Sequence, residues 1–374
     1  MISRGDLERL MGRENGDYQI LSLFLDMSVN SDNRRTHQIF LNQKRSQLEE
    51  LQGDRSVQHD QAVNRALARV DQWLLEEFDE DNRGVVLYTE IGGDWFEALQ
   101  FPVPVANRFV VSDRPAIAPL AQVLESYHHH GVVLLDREHV RLLSVYLGTL
   151  LDELSVEPTP LPTRHDIQAG GYSQSRFQRR KLEEMRHFFR DFAREVEDFV
   201  SRYRPDDLVI LGTDENVARF REFLPERLRR MISYTGPMSV DQPASEVLQE
   251  LMPHLEAERQ RESLEILDQV RDRVDQDYLA TAGFQSTLTA LQEGKVDTLI
   301  IGQDQDQLGS RCTQCGFLFA RELESCPYDG APTATGIDVV EEAIRLAETQ
   351  GAEVQFVAPT AVQDLRGVGA LLRF

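Results

Sequence analysis

The stretch from 132 to 212 constrains the fold more than any other part of this 374-residue chain. Two apolar runs, at 132–135 and 140–146, are joined by Asp136-Arg137-Glu138 and predict a β-hairpin. A third strand is expected at 151–156. Pro158, Pro160 and Pro162 then impose an extended arm, because each fixes its own φ and disfavours helix in the residue before it. Gly170-Gly171 ends the arm, and Ser175 with Gln178 fits a capping box at the head of a long helix. Along that helix Met185, Phe188, Phe189, Phe192, Val196, Phe199 and Tyr203 form an apolar stripe at helical spacing. A buried strand at 208–211 follows, with Gly212 at its exit, and another helix is expected from 215 to 223. A hairpin, a long crossover helix and a buried strand pack as a βαβ-like unit, so the fold class is α/β.

The same alternation on either side predicts three α/β domains, at 1–127, 128–260 and 261–374. In the first, strands at 18–25, 85–88 and 95–99 alternate with helices at 36–51, 62–78 and 117–127. A charged helix at about 244–276 leads into the third. There a helix at 283–291, a strand at 296–302, a helix at 339–349 and a strand at 354–357 predict a small α/β sandwich. A cysteine-bearing insert interrupts it near 309–335.

At 41% hydrophobic and 28% charged residues, the chain has enough apolar material for several cores. No run approaches the ~20 apolar residues that span a bilayer, and the N-terminus carries no apolar signal region. These features favour a cytoplasmic protein without a membrane partner, expected to be a monomer. The formal net charge is −23. Against that background, 164–190 holds seven Lys/Arg and three Asp/Glu, with His165 and His187. A cationic segment on an acidic body points to one local contact with a polyanion. Arg164, Arg176, Arg179, Arg180 and Lys181 are the candidate phosphate-binding residues. Arginines at a helix N-terminus oppose the macrodipole by roughly 0.3–1 kcal/mol per charge, which favours an anionic partner over the plainer alternative of a Gly-Gly turn beside a solvated face.

Cys312, Cys315 and Cys326 are the only cysteines, and an odd number argues against a disulfide framework. Cys312-Thr313-Gln314-Cys315 and Cys326-Pro327-Tyr328-Asp329-Gly330 have the layout of a zinc ribbon. Zinc takes four ligands in tetrahedral geometry, and Asp329 stands at the fourth position. The reading is a structural Zn2+ held by Cys312, Cys315, Cys326 and Asp329; the alternative is a knuckle that folds without metal. His128-His129-His130 reads as a polar run at a domain boundary. The acidic helix (Glu246, Glu250, Glu256, Glu258, Glu262, Glu265) reads as a solvated face. Gly212-Thr213-Asp214 follows a strand but lacks a phosphate-loop signature, and no GxSxG is present.

The order of these units resembles the archaeal and eukaryotic class I peptide chain release factors and their relative Pelota. In that family a hairpin and basic arm lead to Gly-Gly-Gln-Ser-x-x-Arg-Phe. Here Gly170, Gly171, Ser173, Arg176 and Phe177 match, and Tyr172 stands at the glutamine. Gly283, Thr287, Ala290, Leu291, Gly294 and Val296 are similar to a C-terminal family segment. The tail from Gly367 to Arg373 is similar to the family's Gly-Ile-Gly-Gly-Ile-Leu-Arg. Archaeal members carry a zinc minidomain at the position of the insert. The resemblance covers about two thirds of the chain. The first third has neither Asn-Ile-Lys-Ser nor Tyr-x-Cys-x-x-x-Phe, so the resemblance is closest to bacterial proteins of release-factor ancestry and does not extend to stop-codon reading.

The resemblance implies a translation factor that occupies the A site of the bacterial ribosome as a tRNA mimic. Its Gly170-Gly171 loop would point at the peptidyl-transferase centre, with the basic residues on rRNA and the tRNA end. Two glycines let the main chain approach a reacting ester and aim an N–H at its oxygen. Tyr172 keeps that N–H, but its ring is much larger than a glutamine side chain and would either block a water or stack on a base. Non-catalytic occupation, in ribosome rescue, quality control or hibernation, is therefore the reading taken. The alternatives are codon-independent peptidyl-tRNA hydrolysis with Gly170, Gly171 and Tyr172 as the release loop, and an RNA-binding adaptor that has left the ribosome. The family's C-terminal domain recruits a translational GTPase, which makes such a GTPase an expected partner.

Overall fold

The structure is a computed structural model. It describes residues 4–13, 16, 18–29, 34–50, 57–126, 128–156 and 173–374, with side chains at 4, 48–50, 57–59 and 173–182 excepted. The chain divides into two compact units, one of Met1–Ser126 with Glu258–Phe374 and the other of Tyr127–Ala257.

The N-terminal part of the first unit is an antiparallel sheet of β1 (Ile20–Asp26), β2 (Gly84–Glu90), β3 (Phe96–Phe101) and β4 (Arg108–Ser112), in the order β3-β2-β1-β4. Helix α1 (Arg4–Met11) precedes it. Leu23 lies opposite Leu87 and Phe109. With Leu25 and Val85 it packs on α2 (His37–Glu50) and α3 (Val57–Glu76) through Leu41 and Val70. The opposite face of the sheet is also buried, with Phe24 edge-on to Tyr88. Burial on both faces explains why β1 reads as a continuous apolar run. Helix α4 (Ala118–Ser126) closes this part of the sequence.

The second unit has the strand order β7-β6-β5-β8-β9, from β5 (His129–Leu135), β6 (Val140–Tyr146), β7 (Thr149–Val156), β8 (Asp207–Leu211) and β9 (Ile232–Gly236). The hairpin strands β6 and β7 are antiparallel, whereas β5, β8 and β9 run parallel. Helices α5 (Ser173–Tyr203), α6 (Asp214–Arg221) and α7 (Glu226–Arg230) provide the crossovers. They share one core with Val133, Leu135, Leu142, Leu208 and Ile210. The alternate strand residues Val132, Leu134, Leu143, Val209 and Leu211 face the first half of α8 (Ala244–Asp275) through Val247, Leu251 and Leu255. Three layers result, with both faces of the central strands buried.

His129 and His130 lie inside β5 rather than in a boundary run. Their backbones are held by the ladder, and their rings are satisfied by Ser144 Oγ at 2.8 Å and Asp207 Oδ1 at 2.7 Å. Burial holds the His129 imidazole below its usual pKa. Gly212-Thr213 is a helix cap: Thr213 Oγ1 accepts from the Asn216 N–H at 3.3 Å. A Cβ at Gly212 would come within 2.5 Å of the Leu135 carbonyl, so the glycine answers to close strand packing.

The C-terminal part of the first unit is a sheet in the order β10-β16-β11-β15, from β10 (Ala280–Ala282), β11 (Val296–Gly302), β15 (Glu353–Val357) and β16 (Val368–Leu372). Helices α9 (Phe284–Gln292) and α10 (Val339–Thr349) belong to it, and Leu267 and Val270 of α8 pack against Ile300 and Leu371. The cysteine insert is a separate small sheet in the order β13-β12-β14, of β12 (Leu308–Cys312), β13 (Leu318–Phe319) and β14 (Thr333–Asp338).

Candidate metal centre and loop-bearing helix

The insert brings its three thiols and one carboxylate together. The ligand atoms of Cys312, Cys315, Cys326 and Asp329 all lie within 4.8 Å of one another. Cys315 Sγ is 3.8 Å from Cys326 Sγ, and Cys312 Sγ is 3.4 Å from both Asp329 oxygens. Tetrahedral zinc with ordinary bond lengths separates two sulfurs by about 3.8 Å and a sulfur from an oxygen by about 3.5 Å. The observed spacings fit a metal of that size.

Two turns of the same design build the cluster. In the first, Gly316 N–H donates to the Cys312 carbonyl at 3.1 Å, and in the second Gly330 N–H donates to the Cys326 carbonyl at 2.9 Å. Both glycines have left-handed φ, 75° and 73°, which a side chain disfavours. The amides of Gln314 and Tyr328 each donate to the preceding cysteine sulfur at 3.4 Å. Asp329 therefore occupies in the second turn the place Cys315 holds in the first. The Ala331 N–H, at 2.9 Å, and the neighbouring thiols pull the Asp329 carboxyl down to about 2. A carboxylate ionised so readily is competent as a ligand. Buried Cys312 and Cys326 pack with Phe319 and Ala331 in a core of their own. These residues suit a structural ion, and no open coordination position is evident among them.

The loop lies elsewhere in the chain. Arg164, Gly170, Gly171 and Tyr172 fall outside the described residues. Arg176, Arg179, Arg180 and Lys181 are on α5, but their side chains are outside the described set. The helix begins at Ser173, so Ser175 sits inside it and is not its N-cap. The apolar stripe carries α5: Phe189 meets Phe220 at 5.6 Å and Phe223 at 6.0 Å, and Phe192, Val196 and Phe199 are buried. Among the described side chains of α5, Met185 is the first in that core. At the ordinary helical rise, Ser173 and Met185 are about 18 Å apart along α5.

Among sequence relatives, peptide chain release factor subunit 1 of Thermococcus onnurineus is 26% identical over 314 residues, covering 74% of each chain. The same factor of Pyrococcus abyssi is 25% identical over 314 residues, again 74% of each. Among solved structures, Saccharomyces cerevisiae Dom34, a translation termination-like factor, covers 80% of this chain and 82% of its own at 11% identity, with a TM-score of 0.43. These comparisons relate the chain to archaeal peptide chain release factor subunit 1 over 74% of its length. More narrowly, residues 115–256 match the family model of bacterial archaeo-eukaryotic release factor family 10. No helix among the described residues is long and apolar enough to cross a membrane.

Proposed function

We propose that this protein is a ribosome-associated, release-factor-like translation factor of bacteria that enters the A site without reading a stop codon. The observation that carries the reading is its relation to archaeal peptide chain release factor subunit 1 over 314 residues, joined to the Gly170-Gly171-Tyr172 sequence ahead of α5. The loop then reaches the peptidyl-transferase centre, with Arg164, Arg176, Arg179, Arg180 and Lys181 on rRNA and tRNA phosphates. Tyr172 takes the place of the family's catalytic glutamine, so the factor occupies the site in rescue, quality control or hibernation and does not hydrolyse the ester. The three-domain division at 127/128 and 260/261, a monomeric cytoplasmic state and a translational GTPase partner belong to the same reading. Cys312, Cys315, Cys326 and Asp329 hold structural Zn2+ in it, which stiffens the insert.

Co-sedimentation with bacterial 70S ribosomes, paired with a peptidyl-tRNA release assay on the native chain, Tyr172→Gln and Gly171→Ala, tests this. Salt-sensitive ribosome binding without release is expected. Release by the native chain that Gly171→Ala abolishes would replace it with the hydrolytic reading. Absence of ribosome binding at low salt overturns both.

A further inference from the structure

Helix α4 starts without a cap of its own. The residue before it is Ile117, whose side chain offers no acceptor to the first amides of the helix. The missing acceptor comes from far along the chain. Glu341, on α10, accepts from the Ile117 N–H with Oε1 and from the Ala118 N–H with Oε2, each at 2.8 Å. Its negative charge also sits at the positive end of the α4 dipole.

The neighbouring backbone is held just as fully. Arg345 Nη2 donates to the Pro115 carbonyl at 2.6 Å and to Glu341 Oε1 at 3.1 Å. From the other side, Ser22 Oγ on β1 accepts from the Ala116 N–H at 3.0 Å, and the Tyr88 hydroxyl on β2 donates to the Ala116 carbonyl at 2.8 Å. The Ile117 carbonyl takes the Ala121 N–H. Every polar backbone group from the Pro115 carbonyl to the Ala118 N–H therefore has a partner. Next to Glu341, Glu342 Oε1 binds Arg114 Nη2 and Arg311 Nη2, both at 2.6 Å. The segment is a seam between the N-terminal sheet and the C-terminal sandwich.

We propose that Glu341 and Arg345 form a latch that docks 114–126, and with it the N-terminal sheet, onto the C-terminal sandwich, and that opening this ion pair releases the seam as a local event. Arg345 is buried and Glu341 largely so, with side-chain exposures of 9% and 15%, and Arg345 Nε and Nη1 have no hydrogen-bond partner among the described residues. Removing the carboxylate charge leaves a desolvated guanidinium unopposed and two helix amides with a poorer acceptor. Such a loss acts at the seam first, because the β1 and β11 ladders do not use either side chain.

Hydrogen exchange read by mass spectrometry on the full chain tests the latch, with Glu341→Gln and Arg345→Met beside Glu293→Gln as a surface control. In both latch variants, amides 117–121 should exchange at least about tenfold faster, while β1 and β11 keep their native protection. Native protection at 117–121 in either latch variant overturns the proposal. So does an even loss across β1, β11 and 117–121 in both, since the pair would then support the whole unit rather than gate one seam.

Discussion

At Asp329 a carboxylate stands where the first knuckle has a thiolate, in a turn otherwise of matching hydrogen bonds. If the four groups share one zinc ion, each ligand carries about a quarter of the roughly 10–16 kcal/mol typical of structural zinc, so losing one costs on the order of a hundredfold in affinity. Asp329→Ala should therefore lower zinc retention against a chelator by that factor, and Asp329→Cys should restore or raise it. Metal content by atomic emission after dialysis reads both; equal zinc in the native and alanine chains would remove Asp329 from the ligand set. Glu125, at the end of α4, makes a separate prediction. Burial pushes its carboxyl up to about 7, against the Arg259 guanidinium and the Phe356 amide, with Glu353 pushing the same way as burial. The folded state thus holds a proton that the unfolded chain releases near 4.5. Its contribution to stability is complete below about 4.5 and fades as pH rises through 7, by at most about 3 kcal/mol. Glu125→Gln should gain stability relative to the native chain between pH 5 and 8, measured by urea midpoints. A flat difference over that range would show that Arg259 keeps Glu125 ionised throughout.

Helix α5 shows how an element is assembled from side chains that its sequence already spaces. Phe189 is fully buried and meets Phe192, Phe220 and Phe223. Phe189→Ala should cost about 3–5 kcal/mol, seen as a lower unfolding midpoint with protection lost in β5 and β8 and retained in β11. Unchanged exchange in β8 would mean that the site collapses to fill the void. This stripe was legible from the sequence because its period matches the helix, as were β1, β5, β6, β8 and β11, whose apolar runs stand between breakers. The clustering within the insert was legible too, since two Cys-x-x-(Cys/Asp)-Gly turns bring three thiols and a carboxylate together and require the glycines. What stayed hidden has physical causes. Strand β4 (RFVVS) is only partly buried at the edge of its sheet and has little apolar contrast, and β10 has three residues. The α5 start was misread because Ser175 and Gln178 fit a cap spacing that the helix runs past. The seam left one faint sign, a helix beginning after Ile117 with no polar cap. Its partner Glu341 sits in the first turn of α10, where an acidic residue needs no further explanation. Only the fold joins positions more than two hundred residues apart.

On the scale of the whole molecule, one unit holds both chain ends and the other is a continuous stretch from Tyr127 to Ala257. Their cores draw on different resources. The second unit rests on a single three-layer sheet rich in aromatic contacts. The first combines two sheets, the hydrogen-bonded seam at 114–118 and the insert, whose own core contains two of the candidate metal ligands. Most of the −23 net charge also lies in the first unit, so its self-repulsion is greater and responds more to salt. Chains with two such cores rarely unfold in a single step. Calorimetry of the full chain should show two transitions. If the insert holds zinc, a chelator should lower the one that belongs to the first unit, because metal bound only by the folded insert would stabilise that unit by mass action. Added salt should raise the same transition by screening its surplus negative charge. Phe189→Ala should move the other transition and leave the chelator-sensitive one in place. If one transition responds to chelator, salt and Phe189→Ala alike, α8 couples the two cores, since its Val247 and Leu251 lie in one and its Leu267 and Val270 in the other. The division into two units would then describe packing alone and have no thermodynamic counterpart.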